Sequence, residues 1–556
     1  MHGVHSDLHL FLAALCDRRS SLVMNLDHEL GRAFARITEI PHKHHRHVIH
    51  KVHRVVPDDR RPRRLLVGKT VCKGFCGGYR HGLILSLGWD TQTSRAQNAS
   101  LKLWPIKLWP MSTALFTDHY EFTMVEAAMA SGTADRRCVF ELFPRRLPEG
   151  RRYGVVAGTG RILDAIENFR FTDEDVSFLE RTKVVGPQMA EWLSRYRFTG
   201  SIHGYAEGDL YFPGSPLLTV EGTFAEACVL ETVLLSIYNH DSAIASAASR
   251  MVMMAEGRSI IEMGSRRTHE ESAVAAARAA WIAGFGPTSN LAAGIRYGVP
   301  TSGTAAHAFT LLHDTEEDAF RAQLAAYGEE TTLLVDTYDI DNAVRTAVRL
   351  TDGRLGAVRI DSGDLSIVAR QVRDLLDDLG ASNTRIIVTS DLDEWQIAAL
   401  RGAPVDGFGV GTSLVTGSGA PTCSFVYKLV ARATTNGRDA ELLPVAKKSS
   451  HKNTVGGRKY AVRRIGSGGI ATAEVVGVGQ RPAADADDRS LIVPLIVDGE
   501  VVGREPLEAA RKRHRAAIAE LPISGRRISR GDQAIPTVMV KQGDDGADAV
   551  LGTTLS

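Results

Sequence analysis

Short apolar runs alternate with segments of helical spacing through the middle of the chain. Six such units follow one another between about residues 259 and 412. Alternating strands and helices are typical of a parallel sheet that helices cover on both faces. No run leads into a glycine-rich dinucleotide fingerprint, so we predict an α/β barrel or an irregular barrel, with a doubly wound sheet as the alternative. The runs are SIIE, YGVPT, TTLLV, GAVRI, TRIIV and VDGFGV.

The flanking segments predict further elements of mixed type. Residues 120–132 have helical spacing and end in glycine, and residues 137–143 alternate as a strand does. Residues 225–257 form a long, mostly apolar stretch, which predicts two closely packed helices. We therefore expect three folded regions: an N-terminal α/β domain over residues 111–225, a barrel carrying the active site over 226–430, and a C-terminal region over 431–556 that packs on the N-terminal domain.

Residues 1–110 differ in composition from the rest of the chain. They carry 18 Lys and Arg against 8 Asp and Glu, and 11 of the 19 histidines, many of them in PHKHHRHVIHKVHR. Hydrophobic periodicity is poor, as in segments that stay disordered. We expect a disordered extension, or translated upstream sequence with the true start at Met111. A metal-binding or polyanion-binding tail is the alternative.

The composition of the whole chain argues against several classes of partner. With 66 Lys and Arg against 65 Asp and Glu, the charge gives no argument for a nucleic-acid partner. The six cysteines show neither disulfide nor zinc spacing, so we expect no structural metal and a reducing, cytoplasmic location. No apolar run reaches the roughly 18–20 residues that span a bilayer, so we expect no membrane association.

Polar side chains follow each strand of the predicted parallel sheet. In an α/β barrel the carboxyl ends of the strands meet at one face, where active sites lie. Because six strand ends carry groups that can hold phosphate, a carboxylate or a metal, we predict a phosphate-handling site. The residues are Arg266 and Arg267, Thr304 and His307, Asp336 and Asp339, Arg359, Asp361 and Asp364, Ser390 and Asp391, and Gly411 and Thr412.

His307 lies in GTAAHAF, among glycine and alanine. A neutral imidazole is a competent nucleophile near pH 7, so this histidine could do chemistry. The alternative is a hydrogen-bonded core histidine. A zinc ligand is disfavoured because His313, six residues on, is not at ligand spacing.

The motif RIDSGD allows two interpretations. Arg359 offers a planar fork for a carboxylate or phosphate, and Asp361 and Asp364 could orient a ribose or hold Mg²⁺ through water. Alternatively, Asp361 or Ser362 caps the helix that follows. Both interpretations can hold at once.

The arginine pair and the glycine turn also allow two interpretations each. Either Arg266 or Arg267 could face the site, since neighbouring side chains of an extended segment diverge. Alternatively, they form surface salt bridges with Glu270 or Glu271. GVGTSLVTG (409–417) could hold an anion on backbone N–H groups, or be a plain turn.

In combination, these motifs resemble the nicotinate phosphoribosyltransferase family, of the actinobacterial type. The resemblance covers about residues 111–480 and rests on the order of TDHYEFTM, MGSRRTHE, GTAAHAF, VRIDSGDL, SDLDE and GVGTSLVT. It implies a type II phosphoribosyltransferase fold, which is an irregular α/β barrel beside an N-terminal α/β domain completed by the C-terminal segment. It also implies a homodimer with its site near the subunit interface.

The resemblance further implies a reaction. Nicotinate and phosphoribosyl pyrophosphate give nicotinate mononucleotide and pyrophosphate, the entry step of NAD synthesis from nicotinate. ATP is hydrolysed as a co-substrate and Mg²⁺ is the cofactor.

Roles for individual residues are carried over from the same motifs. His307 matches the histidine that ATP phosphorylates, Arg359 would pair with the nicotinate carboxylate, and Asp361 joins these catalytic residues. The substrate-binding residues would be Tyr120 on the pyridine ring, Thr304 on nicotinate, Gly411 and Thr412 on the 5′-phosphate, Arg266 or Arg267 on the pyrophosphate, and Asp364 and Ser390. The AKKSSHKNTVGGRK segment matches the family only loosely, so it assigns no role to Lys452 or Lys459.

Two alternatives of function remain open. One is a nicotinamide or quinolinate phosphoribosyltransferase of the same fold, which turnover of the three pyridines would separate. The other is a non-catalytic nucleotide-binding protein on this fold, which labelling by ATP would separate.

Overall fold

The computed structural model describes residues 70–76, 79–85, 112–437, 439–447, 454–483 and 487–541, and the chain divides into two units, residues 1–111 and 112–556. In the first unit, β1 (Thr70–Cys76) and β2 (Tyr79–Leu85) pair as antiparallel strands. The sequence pattern did not predict this pair. The expectation for the rest of residues 1–110 lies outside the described residues.

The second unit holds both strands and helices. Its strands are β3 (Arg137–Pro144), β4 (Gly154–Val155), β5 (Ser201–Tyr205), β6 (Leu210–Tyr211), β7 (Leu218–Thr223), β8 (Ser259–Glu262), β9 (Thr332–Leu334), β10 (Ala357–Ile360), β11 (Arg385–Val388), β12 (Gly407–Val410), β13 (Phe425–Ala433), β14 (Leu442–Pro444), β15 (Lys459–Ile465), β16 (Ala471–Val478), β17 (Arg489–Ser490), β18 (Ile492–Val497), β19 (Glu500–Val501) and β20 (Thr537–Lys541). Its α-helices are α1 (His119–Ala130), α2 (Thr159–Glu167), α3 (Asp173–Arg181), α4 (Pro187–Ser194), α5 (Phe224–Cys228), α6 (Glu231–Ala255), α7 (Glu270–Ile282), α8 (Leu291–Tyr297), α9 (His307–Leu312), α10 (Glu316–Tyr327), α11 (Ile340–Thr351), α12 (Leu365–Asp378), α13 (Glu394–Ala399), α14 (Thr412–Val415) and α15 (Leu507–Glu520).

The predicted parallel sheet has five strands in the order β8-β12-β11-β10-β9. Each pair within it runs parallel. Its strands are short, nearly continuous apolar runs, as expected where helices cover both faces. Val358 and Ile360 on β10 are fully buried, and between them stands one charged residue, Arg359. Arg359 is therefore placed at the edge of the hydrophobic core by its position in β10.

Two isolated parallel bridges extend the sheet beyond β8. Glu262 pairs with Thr288, and Thr288 pairs with Thr301. Among the described strands, no backbone pairing joins Thr301 to β9, so hydrogen bonds do not close the sheet into a ring. The predicted α/β class with a parallel sheet is confirmed.

A second, seven-stranded sheet has the order β14-β13-β3-β7-β5-β18-β19 and is antiparallel throughout. Its central strands come from residues 137–223, and its outer strands come from residues 425–501. Residues distant in the chain therefore meet in one sheet. The proposed domain boundaries within residues 112–556 stay a prediction.

The long helix α6 links the two hydrophobic cores. The apolar stretch over residues 225–257 forms α5 and α6, the two helices that its pattern predicts. Leu234 and Tyr238 in the first half of α6 pack into the core of the seven-stranded sheet. Ala248 and Met251 in the second half pack around the parallel sheet. Among the described helices, none is long and apolar enough to cross a bilayer.

A buried ion pair joins β15 of the small sheet β17-β15-β16-β20 to β3. The Nζ of Lys459 donates to the two carboxylate oxygens of Glu141 at 3.0 and 2.8 Å, and both residues are buried. Lys459 also donates to the carbonyl of Val455 at 2.8 Å. The lysine thus has a structural role, whereas Lys452 lies outside the described residues.

We expect Lys459→Met to lower the free energy of unfolding by about 3–5 kcal/mol, because it leaves the Glu141 carboxylate buried without its cation. Chemical denaturation measures this loss. The exposed Lys447 supplies the control, since Lys447→Met should change the stability by less than about 0.5 kcal/mol. Equal effects of the two substitutions would contradict the structural role of the pair.

Candidate active site

β10 delivers Arg359 to the carboxyl edge of the parallel sheet, where the residue is buried. Its Nε donates to Thr389 Oγ1 at 3.1 Å, and Nη1 donates to Thr304 Oγ1 at 3.0 Å. Its Nη2 donates to Asp361 Oδ1 at 3.0 Å. A buried guanidinium needs acceptors around it, and here they come from three separate segments. Arg359 therefore holds these segments together.

Asp361 is held as a carboxylate. Its Oδ1 also accepts a hydrogen bond from the Thr389 hydroxyl. Burial raises the pKa of Asp361, but the Thr389 hydrogen bond and the Arg359 charge outweigh burial and leave the pKa below its ordinary value. Asp361 is therefore ionised at neutral pH.

His307 lies beside two carboxylates, and 42% of its side chain is exposed. Its Nε2 lies 3.9 Å from Oδ1 of Asp336 and 3.9 Å from Oδ2 of Asp361. Its Nδ1 lies 3.2 Å from the hydroxyl oxygen of Thr337. Such exposure excludes the packed core histidine. Because Asp361 contacts both His307 and Arg359, the imidazole and the guanidinium share one pocket.

Asp336 is the more deeply buried of the two acids. Its Oδ2 accepts hydrogen bonds from the backbone N–H of Asp361 at 3.0 Å and from the Ser362 hydroxyl at 2.6 Å. Its Oδ1 is buried and has no hydrogen-bond partner among the described residues. A buried carboxylate oxygen without a partner is costly, so this position favours a cation or a hydrogen-bond donor from a ligand.

Asp364 has a different environment from Asp361. Its Oδ1 accepts hydrogen bonds from the backbone N–H groups of Ser366 at 3.2 Å and Ile367 at 3.3 Å, as the N-cap of α12. A helix cap at Asp361 or Ser362 was therefore the wrong prediction. Asp364, three residues after Asp361, caps the helix, so the carboxylate of Asp361 is available to the pocket.

Two residues after β11 have a left-handed backbone. Ser390 has φ of 112° and Asp391 has φ of 39°, and both are exposed. Positive φ in residues other than glycine costs about 1–3 kcal/mol each and is common at functional sites. Thr389, the residue before them, contacts Arg359 and Asp361. The strained pair thus lies at the edge of the same pocket.

Close packing explains the glycines at the end of β12. A Cβ on Gly409 would lie 2.5 Å from Cγ2 of Thr389, and one on Gly411 would lie 3.2 Å from the carbonyl oxygen of Met263. Thr412 begins α14, so the first N–H groups of this helix have no partner within it. Backbone donors beside a glycine turn suit an anion such as phosphate.

Arg266 and Arg267 are both exposed, on the segment after β8. In the described part of the chain neither forms a side-chain ion pair, and Glu271 pairs with Arg296 instead. The predicted salt bridges to Glu270 or Glu271 are therefore wrong. The base of this segment is fixed by the buried Glu262, which accepts a hydrogen bond from the Gly264 N–H at 2.5 Å. Both arginines remain available to an anion from solution.

Tyr120 lies in a separate environment, in the first turn of α1, and is 44% exposed. The carboxylate of Glu231 lies close enough to its hydroxyl group to act on it electrostatically. Burial and the charges of Glu231 and Glu121 raise the pKa of Tyr120 above its ordinary value, so the phenol stays neutral. Among the described residues, no hydrogen bond or ion pair joins Tyr120 to Arg359 or His307.

Two polar residues of the pocket were not predicted. Thr389 directly precedes the predicted Ser390, and Thr337 directly follows Asp336. Both stand at strand ends, where polar residues are common, so their types and positions did not distinguish them. Only the three-dimensional arrangement shows that they contact Arg359 and His307.

Comparison with known proteins gives the family. Residues 115–239 match the model of the nicotinate phosphoribosyltransferase (NAPRTase) N-terminal domain. A relative named nicotinate phosphoribosyltransferase pncB1, from Mycobacterium tuberculosis, is 54% identical over 432 residues, which cover 76% of this chain and 94% of the relative. This chain belongs to the nicotinate phosphoribosyltransferase family. The resemblance drawn from the six motifs is thereby confirmed.

More distant members of the nicotinate phosphoribosyltransferase family agree. The Bacillus subtilis relative is 39% identical over 366 residues, 64% of this chain and 74% of its own. The crystal structure of human nicotinic acid phosphoribosyltransferase superposes with a TM-score of 0.66 at 25% identity, covering 76% of this chain and 97% of the human chain. Nicotinate-nucleotide pyrophosphorylase from Pyrococcus furiosus shares the fold, with a TM-score of 0.60 at 23% identity. These structures confirm the predicted fold class.

Next to Tyr120 stands Glu121, a buried acid. Its Oε1 accepts hydrogen bonds from the hydroxyl group and the backbone N–H of Thr232, at 2.5 and 3.1 Å. Its Oε2 is buried without a partner among the described residues. Burial raises the pKa of Glu121 from 4.5 to about 7. The folded protein therefore favours the protonated acid.

We expect Glu121→Gln to change the pH dependence of stability. The raised pKa makes the wild type most stable, relative to the variant, below pH 4.5, and this advantage is lost as the pH rises to about 7. The loss should amount to about 3 kcal/mol. Denaturation curves of both proteins from pH 4 to 8 measure it, with Glu500→Gln at an exposed site as control. Parallel curves for wild type and Glu121→Gln would contradict the raised pKa.

Proposed function

We propose that this protein forms nicotinate mononucleotide and pyrophosphate from nicotinate and phosphoribosyl pyrophosphate, with ATP hydrolysis coupled through a phosphohistidine at His307. One observation carries the proposal. In a member of this family, Asp361 contacts both the exposed His307 and the buried Arg359, so a nucleophile and a carboxylate-binding group share one pocket.

The donors of Arg359 support nicotinate as the acceptor. Of its five N–H groups, one binds Thr389, two bind Thr304 and the Ala305 carbonyl, and one binds Asp361. The remaining Nη2–H would donate to an oxygen of the nicotinate carboxylate, beside the Thr304 hydroxyl. An uncharged amide would gain less from a buried guanidinium, which favours the acid over nicotinamide.

The transfer itself needs no general base. The pyridine nitrogen carries a free lone pair and attacks the anomeric carbon of the ribose as pyrophosphate leaves. The protein's task is to position the reactants and to stabilise the leaving charge. The N–H groups of Gly411 and Thr412 would hold the 5′-phosphate, and Arg266 or Arg267 would hold the pyrophosphate.

The acids near His307 fit Mg²⁺. Among the described residues, no group of three or more His, Cys, Asp or Glu could hold a metal by itself. Mg²⁺ commonly uses one or two carboxylates and completes its shell with substrate phosphates and water. Asp336, with its unpaired Oδ1, and Asp361 provide such carboxylates. When bound there, Mg²⁺ would offset the charge of the carboxylates and of the phosphates of ATP.

His307 is suited to accept a phosphoryl group. In the tautomer whose Nδ1–H donates to the hydroxyl of Thr337, 3.2 Å away, the Nε2 lone pair is free. Nε2 would attack the γ-phosphorus of ATP and ADP would leave, and water would later hydrolyse the phosphohistidine to phosphate. The carboxylates of Asp336 and Asp361 lie 3.9 Å from this nitrogen and would border the space that the γ-phosphate enters.

The cysteines support a cytoplasmic location. Cys138, Cys228 and Cys423 are buried free thiols. Proteins exported to oxidising compartments more often use their cysteines in disulfides. Fractionation of the native host would test the location, and recovery of the protein outside the cytoplasm would contradict it.

His307→Ala should abolish ATP hydrolysis and the acid-labile label from γ-labelled ATP, because the phosphoryl acceptor is gone. Formation of nicotinate mononucleotide should continue without ATP stimulation, since the transfer needs no base. A product assay with nicotinate, phosphoribosyl pyrophosphate and Mg²⁺, with and without ATP, measures both effects.

His313→Ala is the matched control for this test. His313 lies six residues on and bonds to the carbonyl of Phe309 at 2.8 Å, outside the pocket. This variant should keep the label and the ATP stimulation. A label that survives in His307→Ala would exclude the phosphohistidine. Turnover of nicotinamide or quinolinate in place of nicotinate would exclude the assigned substrate.

We also propose a homodimer in which Tyr120 reaches the site of the second subunit. Tyr120 is exposed, and its contacts are with Glu231 rather than with the pocket around Arg359. If Tyr120 stacks on the pyridine ring, as the family motif implies, a second copy of the chain would bring it there. Mg²⁺ and ATP, by contrast, would be bound by His307, Asp336 and Asp361 of a single subunit.

Mixing two inactive variants tests this arrangement. Tyr120→Ala and Arg359→Ala should each be nearly inactive, and dissociated, mixed and reassociated subunits should recover about a quarter of the native sites, because half of the dimers carry one intact site. Product formation by the mixture measures the recovery. If both residues serve the same subunit's site, no site is intact and the mixture stays inactive.

A further inference from the structure

The motif SDLDE ends in Glu394, a residue without an assigned role. Glu394 is the first residue of α13 and is buried. Its Oε1 accepts a hydrogen bond from Nε of Arg250 on α6 at 2.9 Å. Its Oε2 accepts a hydrogen bond from the hydroxyl of Ser418 at 2.5 Å. One carboxylate thus joins the segment after β11, the segment after β12 and the helix α6.

Ser418 stands directly after the glycine turn, where the chain reverses direction. Gly417 and Ser418 both have a left-handed backbone, with φ of 65° and 50°. A Cβ on Gly417 would lie 2.3 Å from the carbonyl oxygen of Ala420, so this position requires glycine. The N–H of Ser418 donates back to the carbonyl of Ser413 at 2.6 Å. The strained backbone of Ser418 depends on such contacts to stay in place.

A second buried cation holds the same reversal. Nη2 of Arg151 donates to the carbonyl oxygen of Gly417 at 2.6 Å. Burial and the neighbouring charge of Arg250 lower the pKa of Arg151. Arg250 itself donates to the carbonyls of Gly150 and Ile528, at 3.0 and 3.2 Å. Two consecutive residues, 417 and 418, are therefore fixed from the core by buried charged groups.

The turn between Gly411 and Gly417 has little rigidity of its own. α14, which starts at Thr412, is only four residues long. So short a helix is not stable alone, and its geometry depends on its ends. The end at Gly411 is fixed by β12, and the other end is fixed by the contacts of Gly417 and Ser418.

We propose that Glu394, Arg250 and Arg151 are positioning residues for the sugar phosphate. They hold Gly417 and Ser418, and through them they hold the backbone N–H groups at the start of α14 against the 5′-phosphate. This inference rests on the proposed function, in which that turn binds phosphoribosyl pyrophosphate. It also assigns a physical role to the last residue of SDLDE.

Ser418→Ala is the direct test, because it removes one hydroxyl and leaves the pair of Arg250 and Glu394 intact. We expect the KM for phosphoribosyl pyrophosphate to rise about tenfold, since misplacement by a fraction of an ångström weakens a rigid anion site. The KM for nicotinate and kcat should change by less than about twofold. Ser418→Gly, which suits the left-handed backbone, should raise the same KM.

Thr199→Ala is the matched control. Its hydroxyl also donates to a carboxylate, that of Glu226, at 2.7 Å, but this exposed bond lies more than 200 residues before the glycine turn in the chain. This variant should leave all three kinetic constants unchanged. Equal rises in the KM for phosphoribosyl pyrophosphate in Thr199→Ala and Ser418→Ala would show a general loss of structure and overturn the inference.

A double-mutant cycle separates positioning from general stability. If Ser418 acts through Glu394, then Ser418→Ala made in a Glu394→Gln protein should raise the KM for phosphoribosyl pyrophosphate by less than about twofold further. Full additivity of the two substitutions would overturn the inference, because it would show that the two residues act independently.

Calorimetric titration of phosphoribosyl pyrophosphate separates this inference from the proposed function. Wild-type protein that fails to bind it would overturn both. Wild-type protein that binds it, together with Ser418→Ala protein that binds it equally well, would overturn the positioning role alone. Weaker binding by Ser418→Ala, with thermal unfolding that stays cooperative, is the result we expect.

Discussion

The active site depends on one buried positive charge. Arg359 enters the carboxyl edge of the parallel sheet on β10, between two fully buried aliphatic residues. A guanidinium in that position is tolerated only if acceptors surround it. Thr304, Thr389 and Asp361 supply them, and each stands on a different segment of the chain. Because the buried guanidinium must be hydrogen-bonded, the three segments are held together around it. The arrangement of the site therefore follows from the burial of this charge.

The same requirement sets the charge of the pocket. Asp361 is ionised because Thr389 and Arg359 stabilise its carboxylate, and it lies beside Asp336, whose Oδ1 has no partner among the described residues. The negative charge of these acids is directed toward Nε2 of His307. Such a pocket repels an unaccompanied triphosphate and attracts one that carries a divalent cation. In the proposed mechanism, this charge is the reason that ATP would reach the histidine together with Mg²⁺.

Much of this arrangement could be predicted from the sequence, and the failures have physical causes. Short apolar runs identified the parallel sheet because both of its faces are buried, and the strand ends identified His307, Arg359 and Asp361. Local pattern could not show that β18 pairs with β5, nearly 300 residues apart in the chain, since such pairing is set by the tertiary fold. It also could not decide which acid caps α12, because Asp361, Ser362 and Asp364 are all good caps. In the structure Asp364 is the N-cap, and Asp361 accepts a hydrogen bond from Arg359.

Exposure separates the arginines of the site into two groups with different tasks. Arg151, Arg250 and Arg359 are buried and bonded to carbonyls, hydroxyls or carboxylates at fixed distances, so they cannot follow a moving ligand. Arg266 and Arg267 are exposed, on a segment whose base is held by Glu262. In the proposed reaction pyrophosphate leaves after each turnover, and an exposed guanidinium without an ion pair among the described residues would bind it in the transition state and release it to water. The buried arginines give the pocket its shape, and the exposed pair is suited to the group that departs.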